Sequence, residues 1–414
     1  MLRRVLTAVF LFGLQACNRE PDTQSIAHVD PVRPDRIQVL ADDIYRTWTA
    51  LISDIHSNGQ DELLLLGHES GRSAKACTLS ERPSAPCQLR DLIPSGSDRH
   101  GCAAADLNHD GIEDLYCTTG ANEGTGANPN ELWLSDPKGR YTKVEGAWGA
   151  TEATTRGRKA SFINLNGDDF PDLLTTAYGE RSDAGENSSL LWLNAGDQFL
   201  PRPLSEDRTF AHRCHKIIDL NKDGLDDIVG CSGAAGMKVL LSNTEPATFS
   251  EHSIASDRHY YFAVDIFSAD KDVYFFAAIG GRRGQMFIEL GRLDPRGKLR
   301  QRKRINCSMP AEQGGEIIYC SDVRLLDYDA DGVLDVAVSR RRGWLLDEVI
   351  GDAHDLILKG PNFEHGFSIP PTSHGAGSEL LPWRGGLIQV NSGEDWSGSV
   401  VHILPPKESV APRN

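Results

Sequence analysis

The sequence has little positive charge and none of the common catalytic motifs. Lys and Arg number 43 against 59 Asp and Glu, a formal net charge of −16 over 414 residues. A chain this acidic is not expected to bind nucleic acid over its whole surface. It also contains no G-x-S-x-G, H-E-x-x-H, glycine-rich phosphate-binding or C-x-x-C motif. We therefore identify no catalytic residue in the sequence.

The sequence lacks any apolar run of 18 residues, the length that a membrane-spanning helix needs. The short apolar stretch Val5–Leu14 follows two arginines, a combination typical of a secretory signal peptide. The next residues, Leu14-Gln15-Ala16-Cys17, resemble the lipobox of bacterial lipoproteins, in which the cysteine is acylated and becomes N-terminal. We therefore predict a lipoprotein signal peptide over residues 1–16. The alternative is an ordinary secretory signal that ends near Ala16.

A lipidated Cys17 implies both a membrane partner and a location. Acyl chains on this residue would anchor the protein to a membrane, and we expect a flexible tether over residues 17–34. Asn18 rather than Asp follows the cysteine, and the resemblance to lipoproteins then favours the outer membrane. We expect an outer-membrane lipoprotein of the cell envelope, periplasmic or surface-exposed, with no nucleic-acid partner.

One acidic pattern recurs along the chain. Its three clearest copies read DLNHDGIEDL, DLNKDGLDDI and DYDADGVLDV. The copies begin at Asp54, Asp106, Asn164, Asp219 and Asp327, with a remnant at Asp265. Successive starts lie 46 to 62 residues apart, and self-similarity at such a period indicates stacked units or a closed array. Seven units of this size account for nearly all of the chain after the signal peptide.

Short apolar segments flank each acidic copy, such as Leu63–Leu66 and Val333–Val338. They are typical of β-strands joined by turns, about four to a unit, with no helical periodicity. The repeats resemble FG-GAP/VCBS repeats, which form the blades of integrin α-type propellers. This resemblance implies an all-β, seven-bladed β-propeller over residues 35–404, followed by a disordered tail over 405–414. The segment Arg36–Leu40 would either complete the last blade or pair with the first.

The acidic pattern is suited to holding Ca²⁺ in hairpin loops. Oxygen side chains stand at positions 1, 3, 5 and 9, position 7 offers a carbonyl, and glycine at position 6 permits a sharp turn. Strand flanks and the absence of Glu at position 12 exclude an EF-hand. We predict three to five structural Ca²⁺ sites. The predicted ligands are Asp106, Asn108, Asp110, Ile112 and Asp114; Asn164, Asn166, Asp168, Phe170 and Asp172; Asp219, Asn221, Asp223, Leu225 and Asp227; Asp327, Asp329, Asp331, Val333 and Asp335; and Asp54, Asn58 and Glu62.

The number of carboxylates ranks these loops. The loop that begins at Asp327 offers four, whereas those that begin at Asp106 and Asp219 offer three each. The loop at Asn164 has Asp169 where glycine is usual, and the loop at Asp54 has His56, a poor calcium ligand, at position 3. The alternative for any single loop is an Asx-rich turn that its own side chains hold together.

Cysteine spacing predicts four disulfides. Cys102 and Cys117 lie four residues before and eleven after the start of their loop, and Cys214 and Cys231 lie five before and twelve after theirs. Each pair is therefore directly opposed across the same kind of hairpin. The remaining neighbours then pair as Cys77–Cys87 and Cys307–Cys320. An even set of cysteines in an exported protein agrees with this assignment.

A basic segment stands out in the acidic chain. Positive residues alternate at Arg296, Lys298, Arg300, Arg302 and Arg304. In a strand, period two would place all five on one face, and Arg340–Arg342 would add to them. Such a row either protects the edge of an outer strand or forms an anion-binding face for phosphates, acidic polysaccharide or an acidic partner.

The resemblance to integrin-like propellers implies a protein- or glycan-binding or adhesion module whose partner is an envelope protein or a polysaccharide. The alternatives are an envelope hydrolase or lyase acting on polysaccharide or phosphoester at one propeller face, and a structural subunit of a larger complex. Trp344, Trp383 and Trp396 are candidates for a partner surface, with burial as the alternative.

Overall fold

The computed structural model describes residues 23–45, 47–67, 73–80, 86–120, 128–152, 156–178, 188–204, 210–211, 214–231, 236–255, 259–270, 273–282, 285–307, 317–345, 348–352, 354–370, 377–392 and 397–406. The regular structure of these residues is β-strand apart from two short 3₁₀ segments, Pro34–Arg36 and Glu145–Gly149. Within these residues, no helix is long and apolar enough to cross a membrane. The predicted signal peptide and Cys17 lie outside the described residues.

The chain forms two compact units, Tyr45–Arg258 and a second made of Met1–Ile44 with His259–Asn414. The N-terminal strands of the second unit are β1 (Thr23–Gln24), β2 (His28–Pro31) and β3 (Ile37–Tyr45).

The unit Tyr45–Arg258 contains four antiparallel sheets, each of four strands in chain order. Sheet one is β4 (Thr47–Ser53), β5 (Glu62–Gly67), β6 (Ala74–Thr78) and β7 (Arg90–Ile93); sheet two is β8 (Arg99–Ala105), β9 (Asp114–Thr119), β10 (Glu131–Ser135) and β11 (Tyr141–Val144); sheet three is β12 (Arg156–Ile163), β13 (Asp172–Tyr178), β14 (Ser188–Asn194) and β15 (Phe199–Pro203); and sheet four is β16 (His215–Ile218), β17 (Asp227–Cys231), β18 (Met237–Ser242) and β19 (Phe249–Ala255).

The second unit contains three more sheets, each completed by an N-terminal strand. Sheet five is β20 (Tyr260–Asp270), β21 (Val273–Arg282), β22 (Gln285–Leu293) and β23 (Leu299–Asn306), with β1; sheet six is β24 (Ile317–Leu326), β25 (Asp335–Leu345), β26 (Glu348–Asp352), β27 (Asp355–Leu358) and β28 (His365–Ile369), with β2; and sheet seven is β29 (Gly377–Trp383), β30 (Gly386–Ser392) and β31 (Ser397–Ile403), with β3.

Packing between successive sheets explains the short apolar runs in the sequence. Strand β5 is buried at all six positions, as a strand must be when other sheets cover both of its faces. Within one unit, Leu132 of sheet two and Leu173 of sheet three share a buried cluster. In the other unit, Leu290 of sheet five packs in the same way with Val336 of sheet six. Each unit is therefore held together by apolar side chains between neighbouring sheets.

The N-terminal segment lies along three sheet edges. β3 completes sheet seven beside β31, and the backbone N–H of Leu404 donates to Arg36 O at 2.8 Å. Of the two alternatives for Arg36–Leu40, the structure therefore shows the one in which it completes the last sheet. β1 and β2 add in parallel to β23 and β28.

The flexible tether predicted over 17–34 is therefore wrong from Thr23 onward. The reason is that the outer strands of sheets five and six leave backbone groups open to pairing, and the N-terminal segment fills them. The first residues of that tether, 17–22, lie outside the described residues. So does most of the predicted C-terminal tail, residues 407–414.

All four predicted disulfides are present: Cys77–Cys87, Cys102–Cys117, Cys214–Cys231 and Cys307–Cys320. Cys102 and Cys117 are direct cross-strand partners in β8 and β9, as the spacing argument requires. Each of the first three bonds joins residues of a single sheet and its adjoining loops, whereas Cys307–Cys320 joins the end of sheet five to the start of sheet six. On the chain-entropy model each bond contributes about 3 kcal/mol.

Candidate metal centres

Each acidic copy lies at the hairpin between the first two strands of its sheet. We name the loops by their first residue: the 54, 106, 164, 219 and 327 loops. In every one, the residue before position 1 pairs with the residue at position 9. The five pairs are Ser53↔Glu62, Ala105↔Asp114, Ile163↔Asp172, Ile218↔Asp227 and Leu326↔Asp335. This shared register places the same pattern positions at the same point of each sheet.

The loop backbone turns sharply at two positions. Glycine at position 6 has a positive φ in four loops, for example 84° at Gly111 and 85° at Gly332. Position 4 is also left-handed, although it holds ordinary residues such as His109 (φ 61°) and Ala330 (φ 58°). Two left-handed residues within three positions wrap the loop into a compact bend. The left-handed conformation at position 4 could not be predicted from the sequence, because these two copies have no glycine there.

The 106 loop is held together by its own side chains. Asp106 accepts hydrogen bonds from the backbone N–H of Asp110 at 3.1 Å and of Gly111 at 2.9 Å. The Asp110 carboxylate in turn accepts the Ile112 N–H at 2.9 Å. The 219 loop repeats these three bonds with Asp219 and Asp223, at 3.2, 3.0 and 2.9 Å. Both loops therefore contain Asx-type bonds that help to shape the turn.

The carboxylate at position 9 has a structural role that the sequence did not reveal. In the 106 loop, one oxygen of Asp114 accepts the N–H of Leu107 at 3.1 Å, and the other accepts the N–H of Ser135 in β10 at 2.8 Å. The same two bonds recur at Asp172, Asp227 and Asp335. Position 9 thus ties the loop to the C-terminal end of the strand that pairs next to the hairpin.

These position-9 side chains are almost fully buried. Burial disfavours the charged form of a carboxyl. It raises the pKa of Asp114, Asp172 and Asp227 to about 6 and that of Asp335 to about 7. A cation beside these groups would favour the charged form again, so the metal-free loops carry an electrostatic penalty near neutral pH.

The 327 loop has carboxylate oxygens that lack hydrogen-bond donors. One oxygen each of Asp327 and Asp329 is buried and makes no hydrogen bond. Ligand atoms of Asp327, Asp329 and Asp335 lie within 4.8 Å of one another. Among the described residues, no other group of acidic, histidine or cysteine side chains brings three ligand atoms so close. An all-oxygen donor set with buried, unpaired oxygens fits a hard cation such as Ca²⁺.

Lys359 also reaches this cluster. Its ammonium contacts Asp329 Oδ2, and this bond raises the pKa of Lys359. Lys359 could not be predicted from the sequence, because it lies 24 residues beyond the last acidic position of the loop. It is adjacent in space because β27 pairs with β25, which begins at Asp335.

The 164 loop has the same register but a different bend. Its left-handed glycine is Gly167 at position 4, with φ of 71°. Asn164 accepts the Gly167 N–H at 2.8 Å, and its side-chain amide donates to Gly224 O in the 219 loop at 3.1 Å. The amide nitrogen is therefore a donor and not a metal ligand. Because Gly224 belongs to the 219 loop, this bond links two neighbouring sheets of one unit.

The 54 loop departs furthest from the pattern. His56 at position 3 points to Arg90, whose Nη2 lies 2.5 Å from His56 Nε2. Asp54 accepts the backbone N–H groups of Asn58 and Gly59 at 2.9 and 2.7 Å. Glu62 keeps one buried oxygen without a hydrogen bond, and burial raises its pKa. Within the described residues, a cation here would have Asp54, Asn58 and Glu62 but not His56 as donors.

The remnant at Asp265 forms no loop. Strand β20 continues to Asp270, so Asp265 lies within the strand and pairs with Ala277. Its carboxylate accepts the Leu325 N–H of sheet six at 2.8 Å.

The prediction that five cations form one row is wrong. Arg296 and Lys298 precede β23 and lie in a turn, and the strand has a register shift where Gln301 takes a positive φ of 52°. Arg302 and Arg304 donate instead to Glu289, with Arg304 buried. The exposed cations that remain are Arg296, Lys298 and Arg300, the last bonded to Asp294 at 3.2 Å. We call these three the cationic turn.

Of the extra positive residues and the tryptophans, the structure describes the side chains of Arg340 and Trp383. The Arg340 side chain is buried and donates to His354 O. The Trp383 ring is only 6% exposed and packs edge-on against His402, which agrees with the burial alternative. The side chains of Arg341, Arg342 and Trp344, and the whole of Trp396, lie outside what the structure describes.

One contact between reactive groups was missed by the sequence. Ser161 Oγ lies 2.8 Å from His215 Nε2, and His215 Nδ1 lies 3.1 Å from Ala211 O. Burial lowers the pKa of His215 to about 4, with further lowering from Lys159 and Lys216. The two residues lie 54 positions apart on neighbouring sheets, so no sequence motif could join them. A hydroxyl and a neutral imidazole are thus brought together, with a backbone carbonyl rather than a carboxylate on the second ring nitrogen.

The fold defines the class of this protein. Its seven sheets are those of an all-β, seven-bladed β-propeller, as predicted. The WD40 domain of Pan2 from Neurospora crassa, a propeller architecture, matches with a TM-score of 0.50 at 10% identity, covering 90% of this chain and 97% of that one. The rhamnogalacturonan lyase YesW matches with a TM-score of 0.44 at 12% identity, covering 89% of this chain and 75% of that one.

The repeat is identified in part of the chain. Residues 106–175, which include the 106 and 164 loops, match the model of the FG-GAP-like repeat. The protein is therefore a β-propeller in which residues 106–175 are similar to the FG-GAP-like repeat. No curated protein matches the sequence.

Proposed function

We propose that this protein is a lipid-anchored, calcium-stabilised β-propeller that acts as a protein- or glycan-binding module at the bacterial cell envelope. The proposal of bound calcium depends mainly on the 327 loop, where carboxylate oxygens lie close together and two of them are buried without a hydrogen-bond donor. The fold supports a binding role, because propellers present loops from many strands on one face. The absence of a catalytic motif in the sequence agrees with it.

Calcium would be held by the oxygen side chains at positions 1, 3 and 5 of each loop, together with position 9. The ion would supply the positive charge that the clustered carboxylates lack. The 106, 219 and 327 loops have the most suitable donors. The 164 loop has fewer carboxylates, and in the 54 loop His56 is turned away.

The position of the N-terminus supports an anchored arrangement. β1 pairs in parallel with β23, and Thr23 lies opposite Arg304. The residues before Thr23 therefore approach the sheet from the end at which β23 begins. Cys17 lies six residues before Thr23, a reach of about 20 Å at most. A lipid on Cys17 would therefore hold the cationic turn close to the membrane. Arg296, Lys298 and Arg300 would then meet anionic headgroups or lipid phosphates.

The anchor and the binding role are tested separately. Cys17→Ser should move the protein from the membrane fraction to the soluble fraction, whereas retention in the membrane would refute the anchor. The soluble Cys17→Ser protein would then be used in binding assays with envelope extract and purified lipopolysaccharide, each with calcium and with chelator. Retention that needs calcium supports the module, and no retention in any condition contradicts it.

The cationic turn has its own variant. Replacing Arg296, Lys298 and Arg300 with Glu should abolish binding to lipopolysaccharide if the turn binds anions. Lys138→Glu, which changes an exposed cation in a turn of another sheet, is the control. Equal binding by both variants would exclude the turn as an anion site.

A further inference from the structure

Lys359 lies at a position where the equivalent residue of three other sheets is of a different type. The backbone N–H that bonds to position 9 belongs to Ser135, Asn194, Ser242 or Gly360, depending on the sheet. The residue immediately before it is Leu134, Leu193 or Leu241 in three sheets and Lys359 in the fourth. The strand pairing agrees with this alignment, because Val336 pairs with Leu358 as Ile228 pairs with Leu240. Sheet six thus carries a lysine where its counterparts carry leucine.

The backbone of Lys359 is fixed, so its side chain has a defined origin. The N–H of Lys359 donates to His365 O at 2.8 Å, and its carbonyl accepts the Phe363 N–H at 2.9 Å. From there the ammonium reaches Asp329, whose side chain is only 12% exposed. The adjacent residue, Gly360, is bonded to Asp335 at 3.0 Å. The lysine therefore enters the acidic cluster from the same hairpin that holds position 9.

The charges of the loops show what this lysine does. The 327 loop has four carboxylates among its predicted ligands, and the 106 and 219 loops have three each. With the Lys359 ammonium in contact, the net charge of the 327 cluster equals that of the other two. A positive charge held near the cluster both satisfies carboxylates in the absence of metal and repels an incoming cation.

We propose that Lys359 is a tethered counter-cation of the 327 loop, which holds the loop folded without metal and weakens its affinity for Ca²⁺. This inference rests on the proposed calcium binding. It removes the ranking by carboxylate number, because the loop with the most carboxylates is the one that already contains a cation. Calcium entry would weaken the contact between Lys359 and Asp329.

The test is Lys359→Leu, which installs the residue type of the other three sheets. Calcium titration by calorimetry should show one class of site that binds about tenfold more tightly than in the wild type. In chelator the variant should melt at a lower temperature than the wild type, since the carboxylates lose their counter-cation. Lys359→Met, which keeps the long aliphatic chain, should behave in the same way and guards against a packing defect.

Leu241→Lys is the reciprocal variant, because it places a lysine at the equivalent position of the 219 loop. It should weaken calcium binding at one class of site. If Lys359→Leu and Lys359→Met bind calcium no more tightly than the wild type, the inference is wrong while the proposed function stands. If the wild type binds no calcium at all, the proposed function itself fails.

Discussion

The 106 and 327 loops have the same pattern and register but different electrostatics. In the 106 loop, Asp106 and Asp110 are satisfied by backbone N–H groups of the loop itself. In the 327 loop, Asp327 and Asp329 keep buried oxygens without donors, and Lys359 supplies a positive charge. The comparison teaches that one repeat pattern determines the shape of a hairpin without determining how its charges are balanced.

Removal of the position-9 carboxylate tests the structural role that this residue has in both loops. Asp114→Ala and Asp335→Ala each remove a buried acceptor of two backbone N–H groups. Each should lower the free energy of unfolding by about 3–5 kcal/mol, with calcium or with chelator. Urea denaturation measures this loss. Asp110→Ala, an exposed control, should cost under about 1 kcal/mol in chelator, and an equal cost would remove the distinction between position 9 and position 5.

The two hairpins also differ in their disulfide bonds. Cys102–Cys117 joins the two strands of the 106 hairpin, whereas the two strands of the 327 hairpin have no such bond, because Cys320 pairs with Cys307 of sheet five. The double variant Cys102→Ser and Cys117→Ser should lose about 3 kcal/mol of stability on the chain-entropy model. Urea denaturation under non-reducing conditions measures it. An unchanged stability would mean that the metal and Asx bonds alone hold this hairpin.

The two loops should also titrate differently in chelator. Burial raises the pKa of Asp114 to about 6 and of Asp335 to about 7. Because these values exceed those of the unfolded chain, the stability they contribute is fully present below about pH 4 and is lost as the pH rises through 6 and 7. Between pH 4.5 and 8 the loss should be about 2 kcal/mol for Asp114 and about 3 kcal/mol for Asp335, at about 1.4 kcal/mol per pKa unit.

Urea denaturation between pH 4.5 and 8 measures this loss. In Asp335→Asn, the free energy of unfolding should no longer fall as the pH approaches 7. In Asp114→Asn, the fall near pH 6 should be absent. Calcium should suppress the decline, because it favours the charged carboxylates. Stability that rises with pH in chelator would contradict the burial argument.

The smallest effect tests whether the two backbones are alike. Gly111 and Gly332 have φ of 84° and 85°, and a Cβ on either would meet no atom within 4 Å. Gly111→Ala and Gly332→Ala should therefore each cost about 1 kcal/mol through backbone strain alone. Thermal denaturation compares them. Asp169→Ala, at position 6 of the 164 loop, is the control and should cost less, and clearly unequal costs at the two glycines would show that the bends differ.

The strand arrangement could largely be predicted from the sequence, because it follows from local patterns. Short apolar runs and a repeat near 55 residues indicated the blades, and cysteine spacing indicated the disulfides. The segment Arg36–Leu40 was assigned to the last blade as one of two alternatives, and β3 shows which is correct. β1 and β2 were missed because they are short strands paired with residues more than 250 positions away.

The candidate sites could be located but not described. Pattern positions correctly placed the hairpins, yet nothing local showed that position 9 bonds to the strand next to the hairpin or that Lys359 enters the 327 loop. Both depend on strand pairing. The prediction of a cationic row failed for the opposite reason, because it assumed a regular strand. The register shift near Gln301 separates Arg300 from Arg302 and Arg304, which both bond to Glu289.

The central claim is that these acidic hairpins hold calcium. Equilibrium dialysis of the purified protein against buffered calcium, followed by elemental analysis, counts the bound ions directly. We predict three to five Ca²⁺ per chain, falling by one in Asp219→Ala. A protein that retains no calcium at millimolar concentration and melts at the same temperature in chelator would contradict it.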